Sequence, residues 1–298
     1  MTKASYLIPD NRGVLAVGGD DRHSFLQGLI SNDINKVAAD RALWSALLTP
    51  QGKYLHDFFV AEIGDVFYID CEFARRQDLL KRLSLYKLRS KVTVGDATET
   101  HAVAVVYGED ALALLDLPAE PGDARAFHGG VAYVDPRLAA LGARAILPRA
   151  SAEHSLRDAT LEPGSAAAYD RLRVALGVPD GSRDLKIEKA ILLENGFDEL
   201  NGIDWDKGCY MGQELTARTR YRGLVRKRLM PVEIDGPAPD AGTPVMLGDK
   251  EAGEIVSTTD GLALAMLRLE YLDPPPAPGA FTAGTARLTP VKPDWAKF

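Results

Sequence analysis

The stretch from about residue 227 onward most constrains what this chain can fold into. Short strand-like runs (Leu229 to Ile234, Pro244 to Leu247, Ala252 to Thr258, Leu262 to Leu269 and Thr282 to Leu288) alternate with turns rich in Pro and Gly. Runs this short, punctuated this often, predict strands of a small all-β module. Such a module removes its unpaired edges by closing on itself, so a barrel is expected. Pro274-Pro275-Pro276 falls in one of its loops.

Upstream the texture is mixed. Leu7 to Val17 predicts a short strand pair around the turn Pro9 to Gly13. A helix follows Gly18-Gly19-Asp20-Asp21, with an Asp as N-cap and Phe25, Leu26, Leu29 and Ile30 on one face. Leu43 to Leu48 and Tyr54 to Ile63, joined by Thr49-Pro50-Gln51-Gly52-Lys53, predict a hairpin, and Val66 to Cys71 a third strand. A helix over Phe73 to Leu88 and a strand over Lys91 to Val94 complete this set. His101 to Tyr107, a helix near Asp110, Val131 to Asp135 and Ala143 to Leu147 predict a second one. Ser165 to Leu176 predicts a helix ending at Gly177. Strands and helices alternate without a regular βαβ rhythm, so the fold class is α+β.

At 298 residues the chain has room for two or three domains or subdomains. The net charge of −7 does not advertise nucleic acid or membrane as partner. The two cysteines, Cys71 and Cys209, are too few for a disulfide scaffold, which favours a reducing compartment. They also cannot fill a four-ligand zinc or iron–sulfur site alone. With no apolar leader in Met1 to Asp10 and no membrane-length apolar run, a cytoplasmic protein is expected.

The chemistry concentrates in Lys207-Gly208-Cys209-Tyr210-Met211-Gly212-Gln213-Glu214. Gly208 and Gly212 permit backbone angles that other residues resist. A helix is expected from Gln213 to Arg218, and its free N–H groups, with the charge of Lys207, would favour a thiolate at Cys209. The alternative is that Cys209 is a small buried apolar residue. Arg218, Arg220, Arg222, Arg226, Lys227 and Arg228 then crowd a short segment. They read either as a site for a polyanion or as a solvated face. Beyond Tyr210 and Tyr221 no aromatic series interleaves them, so a nucleic-acid groove is only weakly indicated. Asp57, within the apolar run Tyr54 to Val60, either faces solvent or points into a cleft. Glu194, Asn195, Asp198 and Glu199 are cleft acids or loop polars. His23, His56, His101, His128 and His154 are scattered without ligand spacing. No dinucleotide fingerprint or P-loop is present.

With these residues in place, the chain resembles the YgfZ family, folate-binding-fold proteins linked to iron–sulfur cluster assembly and related to the glycine cleavage T-protein, an aminomethyltransferase. Lys207 to Glu214 matches the family signature K-G-C-Y-x-G-Q-E. Phe25 to Asp33 and Leu48 to Lys53 with Asp57 match more loosely. The resemblance implies a folate-binding region over 1–226, built of two interlocked α+β portions, and a C-terminal β-barrel over 227–298. It implies tetrahydrofolate or a derivative as ligand, and a role in maturing 4Fe–4S enzymes, including one that modifies tRNA. Cys209 would be the key thiol and a transient cluster ligand, tuned by Lys207, with Asp57 as a further catalytic candidate. Gly208, Tyr210, Gly212, Gln213, Glu214, Arg218 and Arg220 would bind the cofactor. Scaffold or carrier proteins and client enzymes would be partners of a monomer that is not a classical enzyme. The alternative is a tetrahydrofolate-dependent aminomethyltransferase; an RNA-binding adaptor is a third reading. Two departures stand out. Ala175 in Arg173 to Gly177 replaces the glutamate that holds the pterin in T-proteins, and their Asp-Asp pair reads His56-Asp57 here.

Overall fold

The computed structural model describes residues 3–223 and 225–298. The chain packs as two compact units. One comprises Met1–Pro50, Leu55–Ala166 and Asn201–Met211; the other comprises Gln51–Tyr54, Ala167–Leu200 and Gly212–Phe298.

In chain order, the first unit carries β1 (Ser5–Leu7), β2 (Arg12–Gly18), α1 (Arg22–Gln27), β3 (Leu43–Leu48), β4 (Tyr54–Ile63), β5 (Val66–Glu72), α2 (Arg76–Tyr86), β6 (Thr93–Asp96) and β7 (His101–Tyr107). It continues through α3 (Ala111–Leu114), β8 (Ala124–Phe127), β9 (Gly130–Val134), β10 (Ala143–Pro148), α4 (Ala152–Asp158) and β11 (Glu162–Pro163). The strands form a five-stranded sheet, β3-β4-β5-β2-β6, and a six-stranded sheet, β11-β1-β7-β10-β9-β8. β1 and β2 therefore do not pair. β1 runs antiparallel to β7 and β2 antiparallel to β5, so the Pro9 to Gly13 turn carries the chain from one sheet to the other. A turn fixes register only where its two arms are partners, and here each arm has a better-matched strand far along the sequence.

Each sheet has its own core. Leu15, Leu26, Ile30, Phe58, Phe67 and Leu79 pack together on the five-stranded sheet. Tyr6, Val106, Ala145, Leu147 and Leu156 pack on the six-stranded one. Full burial of a side chain such as Leu26 contributes about 1.5–3 kcal/mol, which holds the short α1 where its own few hydrogen bonds would not. Asp21 precedes α1 but makes no side-chain cap; its carboxylate accepts instead from the Lys91 amide at 2.7 Å.

The second unit carries α5 (Ala166–Ala175), α6 (Gly181–Asp184), α7 (Gln213–Tyr221) and six strands: β12 (Lys227–Asp235), β13 (Pro244–Leu247), β14 (Lys250–Thr259), β15 (Leu262–Arg268), β16 (Phe281–Ala283) and β17 (Ala286–Pro290). These six close into a barrel in the order β12-β15-β14-β13-β16-β17. Val232, Val245, Ile255, Leu267, Phe281 and Leu288 fill it. The single run expected over Thr282 to Leu288 is two strands, reversed at Gly284, which takes φ +58. The α+β class and the barrel stand as the sequence implies. Among the described residues, no helix is long and apolar enough to cross a membrane.

Candidate functional site

Residues 207–211 form a short arch, and both of its feet are bonded to the end of α1. At the first foot, the Lys207 ammonium donates to the carbonyl oxygens of Gln27 at 2.8 Å and Ile30 at 2.6 Å. The Gln27 side chain answers, its Nε2 donating to the Lys207 carbonyl at 3.1 Å while its Oε1 accepts from the Ile34 amide at 3.1 Å. At the second foot, the Met211 amide donates to the Gly28 carbonyl at 3.0 Å, and the Met211 side chain packs on the core of the five-stranded sheet. The last carbonyls of a helix have no partner within it, and a cation there also offsets the negative end of the dipole. Lys207 meets both needs.

Burial draws the Lys207 ammonium down to a pKa of about 8, against the pull of Asp33 and Asp204 toward the charged form. Its Nζ also lies 5.1 Å from the centre of the Tyr210 ring, a cation–π contact. Gly208 takes φ +89 with open space where a Cβ would stand, so the backbone angle rather than crowding requires glycine. Cys209 is exposed. It is thus not the buried apolar residue of the alternative reading.

Gly212, at φ +81, precedes α7. Gln213 opens that helix, Glu214 lies exposed in its first turn, and Arg218 and Arg220 lie exposed in its last. Acids at the start and bases at the end both suit the helix dipole. Gly52, from the turn between β3 and β4, packs on this helix start. A Cβ there would stand 2.7 Å from the Gly212 carbonyl oxygen and 2.5 Å from the Leu215 Cβ. One member of the arginine run stands apart from the rest. Arg222 and Arg226 are exposed, whereas Arg228 is buried and its Nη1 donates to the Leu193 carbonyl at 2.6 Å and to Glu199 at 2.8 Å. Glu194 and Asn195 line a cleft of about 330 Å³ together with Lys186, Lys189 and Lys227. Burial raises the pKa of Glu194, against Lys227 and Lys53.

Asp57 lies on β4 and is buried, and it accepts from Trp44 Nε1 at 3.0 Å. Its neighbour His56 is buried too, with Nε2 donating to Asp78 at 2.8 Å. Burial, helped by Arg75, outweighs Asp78 and lowers the His56 pKa to about 4, so the imidazole is neutral at pH 7.

Sequence reasoning missed a buried charge cluster. Asp70 on β5 is fully buried and accepts from Arg12 Nε at 2.6 Å and from Arg144 at 2.6 and 2.9 Å. Arg137 grips Asp135 with two bonds at 3.0 and 2.8 Å. All three guanidiniums lie over the Phe59 ring, Arg144 nearest at 4.0 Å. The fully buried Tyr133 hydroxyl has no hydrogen-bond partner, and burial pushes its pKa far upward. Gln27 was missed as well. Among the described residues no group of three or more His, Cys, Asp or Glu side chains could hold a metal ion.

The model of the GCVT N-terminal domain matches residues 10–129, and that of the CAF17 C-terminal beta-barrel domain matches residues 226–298. The crystal structure of the glycine cleavage system aminomethyltransferase T from Bartonella henselae superposes with a TM-score of 0.76 over 97% of this chain and 84% of that one, at 16% identity. The chain thus has the aminomethyltransferase T fold with a closed C-terminal barrel. Iron-sulfur cluster assembly factor IBA57, mitochondrial, is 31% identical in Mus musculus over 96% of this chain and 84% of that protein. The Homo sapiens protein of the same name is 31% identical over 96% and 83%. The Neurospora crassa homolog is 35% identical over 77% of this chain, which spans only 54% of that protein's length. The chain belongs to the IBA57 family of iron-sulfur cluster assembly factors.

One expectation is overturned. These relatives are named mitochondrial, not cytoplasmic. A low cysteine count argues only for a reducing compartment and does not say which one. The N-terminal reading began at residues 1 and 2, which lie outside the described residues.

Proposed function

We propose that this chain assists the assembly or maintenance of 4Fe–4S enzymes, tRNA-modifying ones among them, in the manner of the YgfZ proteins. Cys209 is the working thiol. The observation that carries the reading is an exposed cysteine on an arch pinned at both feet, in a chain of the iron-sulfur cluster assembly factor family. The cluster is cargo. Cys209 supplies one thiolate, and a scaffold or carrier protein supplies the remaining ligands. Lys207 serves first by holding the loop. Its ammonium is committed to two carbonyls, and its charge remains close to Cys209 along the chain. The division proposed is 1–226 for the folate-fold region and 227–298 for the barrel, with the chain acting as a monomer.

Tetrahydrofolate is proposed as a ligand from the family resemblance, through Gly208, Tyr210, Gly212, Gln213, Glu214, Arg218 and Arg220. The residues do not fit the way a T-protein holds the pterin. Ala175, the last residue of α5, has no acceptor, and the buried Arg173 beside it is committed to Asp170 and Asp184, both at 2.6 Å. No step is therefore derived through folate. The aminomethyltransferase alternative keeps Asp57 as its acid but lacks that pterin acceptor, and its likeness is one of fold.

The test mixes the purified chain with a cluster-loaded carrier protein and follows the visible charge-transfer bands. Wild type should form a complex with a spectrum distinct from the carrier's own. Cys209→Ser should leave the carrier's spectrum unchanged. An identical spectral change with Cys209→Ser would remove the thiol from the ligand set.

A further inference from the structure

We infer that Gln27 is the positioning residue of Cys209. The inference rests on the reading of Cys209 as the working thiol and extends it to a residue far away in sequence. The Gln27 side chain uses both ends of its amide. Its Oε1 is fixed by the Ile34 amide, and that orientation aims Nε2 at the Lys207 carbonyl. The backbone oxygen of the same residue receives the Lys207 ammonium. Gln27 and Lys207 thus exchange bonds in both directions, and the next residue, Gly28, takes the Met211 amide. The arch is closed at both ends on one turn of chain, and Cys209 stands between the closures.

This arrangement answers a physical need. Cys209 is exposed, and Gly208 beside it has nothing within 4 Å of where its Cβ would be, so packing around that glycine does not fix the loop. An exposed stretch such as Gly208-Cys209, with no packing of its own, samples many conformations unless its ends are held. A thiol that must meet a cluster held by another protein needs one direction, because misplacement of a reacting group by an ångström is costly. The polar feet supply that direction. The helix end they grip is itself anchored by Leu26 and Ile30 in the core.

The test reads the order of the arch with a nitroxide attached to Cys209 in the full chain. Cys71 is buried and stays unlabelled in the folded protein. Wild type should give a spectrum dominated by an ordered component. Gln27→Met keeps the length of the side chain and removes both of its polar contacts. The mobile population of the label should rise roughly 5- to 30-fold. Gln27→Glu keeps an acceptor for the Ile34 amide but has no N–H for the Lys207 carbonyl. It should free the label as Gln27→Met does, with a thermal melt close to wild type. If the label stays as ordered in Gln27→Glu as in wild type, Gln27 acts only through Ile34 and the inference is overturned. The readout needs no cluster. A Cys209→Ser protein that still sustained cluster enzymes would refute the functional reading and leave the clamp standing, whereas an unchanged label would remove the clamp alone.

Discussion

The two cysteines sit in opposite environments. Cys71 lies on β5 inside the core of the five-stranded sheet, next along the strand to the fully buried Asp70. Burial, chiefly, pushes its thiol up to about 12. Cys209 stands exposed on an arch held by polar bonds. Around β5 the buried charges are matched inward, Asp70 with two arginines and those arginines with the Phe59 ring. On the arch the polar groups are spent on holding the loop, and the sulfur is left outward. One region turns charged residues into structure. The other uses structure to hold a loop that carries one exposed thiol.

The largest effect is kinetic. With a thiol near 12, Cys71 should alkylate about 10³-fold more slowly at pH 7 than a cysteine in an unstructured peptide. Mass spectrometry after brief iodoacetamide treatment should find the adduct on Cys209 and none on Cys71 until denaturant is added. Equal labelling in the native protein would erase the contrast. Next in size is the β5 side. Asp70→Ala leaves Arg12 and Arg144 buried without their shared carboxylate, and such breakage costs about 3–5 kcal/mol. Urea unfolding should show it, whereas Cys209→Ser should stay within about 0.5 kcal/mol of wild type.

A smaller effect comes from His56 on β4. Its folded pKa of about 4 lies below its ordinary value of 6.5. Between those values the unfolded chain binds the proton and the folded chain does not. Stability is therefore intact above pH 6.5 and is lost as pH falls toward 4, by about 3 kcal/mol in all. Unfolding free energies measured across that window should show the slope, and His56→Gln should flatten it. A slope unchanged in the variant would mean that other groups carry it.

How much of this was legible follows from the range of the interactions. The barrel was readable because each strand is bounded by its own local turns. β3, β4 and β5 were readable because consecutive strands there are neighbours. The pairing of β1 and β2 was misread because each finds its partner elsewhere, at Tyr107 and Glu72 respectively. Asp21 looked like a cap because a cap is judged from a few neighbours, while its real partner is the Lys91 amide. Asp57 was left open between solvent and cleft, and the Trp44 indole that receives it faces it from the adjacent strand. The buried cluster left no local signal because the carboxylate that Arg12 and Arg144 share is distant in sequence, 58 residues from Arg12 and 74 from Arg144. The octapeptide marked Cys209 and Lys207, but nothing local tied either to Gln27, which lies 180 residues from Lys207.

The central claim is that Cys209, and not Cys71, does the work of the molecule. The most direct test is the activity of a 4Fe–4S enzyme such as aconitase in cells lacking this protein. The cells would be complemented with wild type, Cys71→Ala or Cys209→Ser at matched expression. Activity should fall without the protein, return with wild type and with Cys71→Ala, and stay low with Cys209→Ser. Full restoration by Cys209→Ser would contradict the account and leave the exposed thiol without a function.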